Sequence, residues 1–285
     1  MFEHELKIAK HLARKAGSSI LEFRETGFEV ERKPMYGDVT EPVTIADKTS
    51  SAIIVEGIDA AFPDDAVLSE EEPDNIGKRL SSERVWIIDP LDGTKGFVEG
   101  AGDFAVQIGL ARAGRAVVGV VYQPVGDAMF FASEGGGAWL EEAGKAPERL
   151  TVSEIGKIRD MTMAVSRSHR SEKMGRVLSE LEIGKEIRHG SVGLKVGLIA
   201  KRNADVYLHL SPHTKFWDSA APEIIVEEAG GTITDIFGNR MDYSLADVRN
   251  HNGVLVSNNR VHDEIVERLR PLLNEFGRLR IKSKG

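Results

Sequence analysis

Apolar residues Phe2, Leu6, Ala9, Ala13, Ala16, Ile20 and Phe23 recur at steps of four and three. That is the stripe of an amphipathic helix, and Gly27 closes it. A second helical pattern runs from Thr44 to Phe62, with Ile54, Val55, Ile58 and Phe62 on one face and Asp47 in its first turn. Ala66-Val67-Leu68 reads as a short strand running into Glu70-Glu71-Glu72. Val85-Trp86-Ile87-Ile88 reads as a buried strand that stops at the Asp89-Pro90 turn signal. Three further strands, 104–110, 116–123 and 128–132, are separated by short turn sequences and predict an antiparallel meander.

Beyond Pro147 the rhythm is mixed. Strands are expected at 161–165, 206–210, 232–236 and 254–257, and helices at 173–181, 192–200, 218–229 and 261–276. Helices at both ends with strands between them predict layered α and β structure. Two subdomains are expected, 1–150 carrying most of the candidate ligands and 151–285 carrying Asp218, with no linker to mark the border.

Composition narrows the function. Thirty-seven Lys plus Arg against 45 Asp plus Glu give a formal charge of −8, which argues against a nucleic-acid partner. An acidic chain still accepts a small anion when cations sit between its carboxylates and the ligand. The absence of cysteine removes disulfides, thiolate nucleophiles and Cys-based zinc sites. The first fifteen residues interleave charge with apolar positions, unlike a signal peptide, and no run approaches the ~20 apolar residues of a membrane span. A cytoplasmic protein with no membrane partner is expected, as a monomer or homodimer.

The candidate chemistry lies in the placement of acids. Asp89 and Asp92 follow a buried strand, at the kind of strand end where open α/β sheets bind ligands. Gly93 lets the backbone approach a ligand, and Thr94 offers a hydroxyl and an amide. A capped turn explains Asp92-Gly93-Thr94 alone equally well. Three consecutive glutamates commonly form a solvated face. Asp218 has a simple reading as the N-cap of a helix starting at Ser219, and Asp47 as an acid favoured by a helix dipole. These separate explanations do not account for the whole set.

Taken in order, Val43-Thr44-Ile45-Ala46-Asp47, Leu68-Ser69-Glu70-Glu71, Asp89-Pro90-Leu91-Asp92-Gly93-Thr94 and Trp217-Asp218-Ser219-Ala220 resemble the inositol monophosphatase superfamily of metal-dependent, lithium-sensitive phosphatases. The resemblance implies the layered α-β-α-β-α sandwich shared by inositol monophosphatases and fructose-1,6-bisphosphatases. It implies two or three magnesium ions held by Glu70, Asp89, Asp92, Asp218 and the Leu91 carbonyl, an oxygen set that suits magnesium. Asp47 and Thr94 would orient the attacking water, and the Gly93 and Thr94 amides would hold a phosphate oxygen. Metal ions in such a site lower the water's pKa and stabilise both oxygens of an in-line displacement.

Within the superfamily, Lys95-Gly96-Phe97, Ser166-Arg167-Ser168-His169, Gly193-Leu194-Lys195 and 211–218 are similar to the 3'(2'),5'-bisphosphate nucleotidase branch. That similarity implies release of the 3'-phosphate of adenosine 3',5'-bisphosphate, with Lys95, His169, Ser191, Lys195 and Lys215 contacting substrate. Inositol monophosphatase or fructose-1,6-bisphosphatase activity is the alternative, because only the leaving-group pocket differs. A phosphoaspartyl mechanism of the D-x-D-G-T kind is rejected by spacing, since Pro90 and Leu91 stand between the two acids. A catalytically silent protein keeping the fold is argued against by the complete set of acids.

Overall fold

The computed structural model describes residues 1–36, 39–167 and 171–281. In chain order its elements are α1 (Glu3–Thr26), β1 (Val30–Tyr36), β2 (Val39–Thr44), α2 (Ile45–Ala61), β3 (Ala66–Ser69), α3 (Ile76–Ser81), β4 (Arg84–Asp92), α4 (Thr94–Val98), β5 (Ala105–Arg112), β6 (Arg115–Gln123), β7 (Ala128–Ser133), β8 (Gly137–Glu142) and β9 (Glu148–Arg149). There follow β10 (Thr162–Ser166), α5 (Glu172–Glu180), β11 (Lys185–His189), α6 (Val192–Ala200), β12 (Val206–His209), α7 (Phe216–Glu228), β13 (Thr232–Thr234), β14 (Val254–Ser257) and α8 (His262–Glu275).

Two large sheets organise the chain. Strands β3 to β9 lie in sequence order in the first, with β3 and β4 parallel and every later neighbour antiparallel. The second has the order β11-β10-β12-β14-β13, parallel at β11-β10-β12 and antiparallel at the other end. Alternation along β4 shows how the layers form. Trp86 and Ile88 face α1 and α2 beside Ile20, Ile54 and Ile58. Val85 and Ile87 face the opposite side, in a core shared with α6, α7 and the second sheet. Met163, Val206 and Leu255 of the second sheet pack on α5 and α8. The order of layers is therefore helix, sheet, helix, sheet, helix, with α6 and α7 as the middle layer.

Two expectations need correction. Strand β4 does not stop at Asp89-Pro90 but continues to Asp92, because the pairing slips where the proline would otherwise lack a donor. Helix α7 begins at Phe216, one turn before Ser219, so Asp218 is a first-turn residue and not the N-cap. The sequence pattern also gave no warning of the β1-β2 hairpin, of β8 or of β11.

Candidate active site

The slip in β4 builds the site. Asp89 pairs with Gln107 and Asp92 with Ala105, so three steps on β4 match two on β5. Residues three apart on a regular strand point to opposite faces, and the extra residue reverses that parity. One carboxylate oxygen each from Asp89, Asp92 and Asp218 consequently lies within 4.8 Å of the others. The Leu91 N–H donates to Asp89 Oδ1 at 3.0 Å, and Ser50 Oγ donates to the Pro90 carbonyl at 2.8 Å, which fixes the bulge from α2.

Asp218 arrives from the middle layer. Its Oδ2 accepts the Lys215 N–H at 2.7 Å, the backbone half of a capping box. Asp92 Oδ2 accepts three donors: Gln107 Nε2 at 2.9 Å, Ser191 Oγ at 2.5 Å and the Gly193 N–H at 2.9 Å. Ser191 is also the N-cap of α6, taking the Leu194 N–H at 3.0 Å. Strand β4 and helices α6 and α7 thus converge on one point.

Electrostatics make this convergence costly without a cation. Burial pushes Asp89 well above the usual carboxylate range, and the charges of Glu70, Asp92 and Asp218 push it further. Burial raises Asp218 well above that range too, with Asp92 and Glu70 adding. Asp92 is also raised by burial, with Lys195, Ser191 and Gly193 opposing. Like charges this close do not ionise together unless something positive joins them. Hard oxygens with spare lone pairs, buried and mutually repelling, fit a divalent cation.

Asp47 and Thr94 stand together at the start of α2 and α4. Asp47 Oδ2 accepts the Thr44 N–H at 2.7 Å and the Thr44 hydroxyl at 2.6 Å, and Oδ1 faces the Thr94 hydroxyl at 2.8 Å. The same hydroxyl lies 3.0 Å from the Leu91 carbonyl. Gly93 adopts φ +97°, a left-handed turn that starts α4 and presents Thr94. Burial raises the Asp47 pKa against the pull of the Thr44 and Thr94 hydrogen bonds.

Glu70 lies beyond β3. It is not among the three converging acids, although its charge acts on Asp89 and Asp218. Lys33 Nζ, on β1, donates to Glu70 at 3.0 Å and also to Glu71.

The expected substrate contacts divide. Lys195 is buried; its Nζ donates to the Gly190 carbonyl at 2.9 Å and lies over the Tyr207 ring. Burial lowers its pKa to about 8, opposed by Asp92, Asp218 and Asp103. Lys215 Nζ lies 4.7 Å from the centroid of Trp217. Lys95 is exposed, with Nζ 4.0 Å from Glu99. Ser191 is committed to Asp92. His169 falls outside the described residues. Sequence reasoning missed Lys33, Gln107 and Asp103, which hold acids or loops of the site; a polar residue inside the apolar run of β5 was the one available signal, at Gln107.

A carboxylate cluster at a strand end, with the Asp47–Thr94 pair on one side and a capped helix on the other, fits the class of metal-dependent phosphatases. The chain belongs to the inositol monophosphatase family, whose profile matches residues 1–273. It is 36% identical to the 3'(2'),5'-bisphosphate nucleotidase CysQ of Salmonella typhimurium over 233 residues, 82% of this chain and 91% of that protein. It is 33% identical to the Nus factor SuhB of Haemophilus influenzae, over 94% of this chain and 96% of that one. Among solved structures it is similar to an IMPase of Thermotoga maritima, with a TM-score of 0.80, 27% identity, and 97% and 100% of the two chains covered. It is also similar to CysQ of Bacteroides thetaiotaomicron, with a TM-score of 0.74, 30% identity, and 90% and 97% covered.

Proposed function

We propose that the protein is a magnesium-dependent 3'(2'),5'-bisphosphate nucleotidase that hydrolyses the 3'-phosphate of adenosine 3',5'-bisphosphate to AMP and phosphate. The observation that carries the reading is the convergence of Asp89, Asp92 and Asp218, taken with 36% identity to a nucleotidase over most of the chain. These three acids, with Glu70 and the Leu91 carbonyl, would hold the metal. Bound there, magnesium supplies positive charge against the phosphate and acidifies water.

The chain's own groups do the rest. The Thr94 hydroxyl, donating to Asp47 Oδ1, keeps a lone pair with which to accept a hydrogen from the attacking water. Asp47, whose affinity for protons is raised by burial, takes the proton handed on through Thr94. The Gly93 and Thr94 amides, at the start of α4, would hold a phosphate oxygen. Lys195 balances the site's negative charge from the inside, Lys215 would meet the second phosphate of the substrate, and His169 is assigned the same role on the sequence resemblance alone.

Rates on adenosine 3',5'-bisphosphate, inositol 1-phosphate and fructose 1,6-bisphosphate, compared with magnesium and with added lithium, test the reading. The expected result is at least about a tenfold preference in kcat/KM for the nucleotide, or ~1.4 kcal/mol. A preference for either sugar phosphate would overturn it.

A further inference from the structure

Asp103 sits just before β5, outside every segment that carries an expected ligand, yet it links three parts of the site. Its Oδ2 accepts the Gly190 N–H at 2.5 Å and a hydrogen bond from Arg167 Nη2 at the end of β10. Its backbone carbonyl accepts the Ser191 N–H at 3.2 Å. Gly190 and Ser191 form the turn into α6 whose next groups, the Ser191 hydroxyl and the Gly193 N–H, both donate to Asp92. The Gly190 carbonyl is the acceptor for Lys195 Nζ. Asp103 therefore grips the turn that supplies two of Asp92's three donors and seats the buried lysine.

The surroundings show how closely the parts are fitted. A Cβ added to Gly190 would stand 2.9 Å from the Asp103 carbonyl oxygen and 3.0 Å from its carboxylate, so only glycine permits this approach. Asp103 is 5% exposed, and its Oδ1 is buried without a hydrogen-bond donor among the described residues. A carboxylate left half-satisfied in a protein interior costs stability. The Asp103 charge is met by Arg167 at Oδ2, and His189 Nδ1 lies 3.6 Å from the same oxygen.

We propose that Asp103 is a positioning residue, acting on Asp92 and Lys195 through the 190–193 turn and holding Arg167 as its counter-charge. The proposal rests on the reading of Asp92 as a metal ligand. With Asp103 in place, Asp92 Oδ2 stays saturated by protein donors and its other oxygen stays aimed at the cation. Without it, the turn relaxes away from Asp92, and the ligand is free to rotate.

The test measures magnesium binding directly by calorimetry on the whole protein, together with kcat and KM. Asp103→Ala is expected to weaken magnesium about tenfold and to lower kcat by a similar factor, with Asp103→Glu restoring most of both. Asp103→Asn, which keeps the shape and loses the charge, serves if the alanine variant does not fold, and it is expected to weaken magnesium about threefold. Because Asp103 acts through Ser191, the Asp103→Asn and Ser191→Ala losses in magnesium affinity should overlap in the double variant rather than multiply. Wild-type magnesium affinity in both Asp103→Asn and Asp103→Ala, or losses that multiply, would overturn the proposal. Asp92→Asn separates it from the underlying reading: if that variant binds magnesium as the wild type does, the ligand assignment itself falls.

Discussion

Asp89 and Asp92 show what one residue of slip in a strand accomplishes. Both are buried and both hold protons more tightly than ordinary aspartates, because desolvation and neighbouring acids favour the neutral form. The metal-free protein bears this repulsion as a cost of folding. Asp89→Asn removes a charge at constant volume, so without metal the variant is expected to unfold at a higher temperature than the wild type. Its turnover should fall about a thousandfold or more, ~4 kcal/mol of barrier. Thermal denaturation in EDTA and steady-state rates at saturating magnesium check the two halves. A variant that is less stable without metal would show that Asp89 is held by its hydrogen bonds and not strained by its neighbours.

At the scale of elements, the loop from β4 into α4 turns on Gly93, whose φ of +97° an L-residue rarely adopts and whose added Cβ would stand 3.3 Å from the Asp103 carbonyl. Gly93→Ala is expected to cost about 1 to 2 kcal/mol in urea denaturation and to lower kcat more than it raises KM, because Thr94 is displaced. Much of this architecture was legible beforehand. Helices α1, α2 and α8 carry helical periods, strands β4 to β7 carry apolar runs bounded by turn signals, and the burial of these residues reproduces both. The Asp89, Asp92 and Asp218 cluster followed from motif order. What escaped had physical reasons. Strands β1 and β11, Val-Glu-Arg-Lys-Pro-Met-Tyr and Lys-Glu-Ile-Arg-His, carry too few apolar residues to show a two-residue period. Pro90 reads as a terminator, because nothing in a sequence announces a bulge that makes room for it. Asp103 gave no signal, since its partners lie at positions 167, 190 and 191, in another layer.

For the whole molecule, the middle helical layer decides stability as well as chemistry. Glu223 of α7 is buried between the sheets, its Oε2 taking the Tyr243 hydroxyl at 2.5 Å and its Oε1 3.1 Å from Arg115. Burial, outweighing the Tyr243 hydrogen bond and Arg115, pushes its pKa up from 4.5 to about 8. Below pH 4.5 the group is protonated whether the chain is folded or not, and it favours neither state. Between pH 4.5 and 8 the folded chain keeps a proton that the unfolded chain has lost, so stability falls as pH rises, and the loss is complete above pH 8. Glu223→Gln should reduce the decline between pH 5 and pH 9 by about 1 to 3 kcal/mol, read from denaturant midpoints at both pH values. Identical slopes in the two proteins would place the Glu223 proton elsewhere. The same middle layer also sets an order in time. Asp89 and Asp92 are synthesised more than a hundred residues before Asp218, and Asp218 joins them only when α7 has docked across β5 and β6. A growing or truncated chain thus lacks one of the three converging acids until α7 has emerged, so whatever cation the cluster holds is held only after the middle layer has closed over the first sheet.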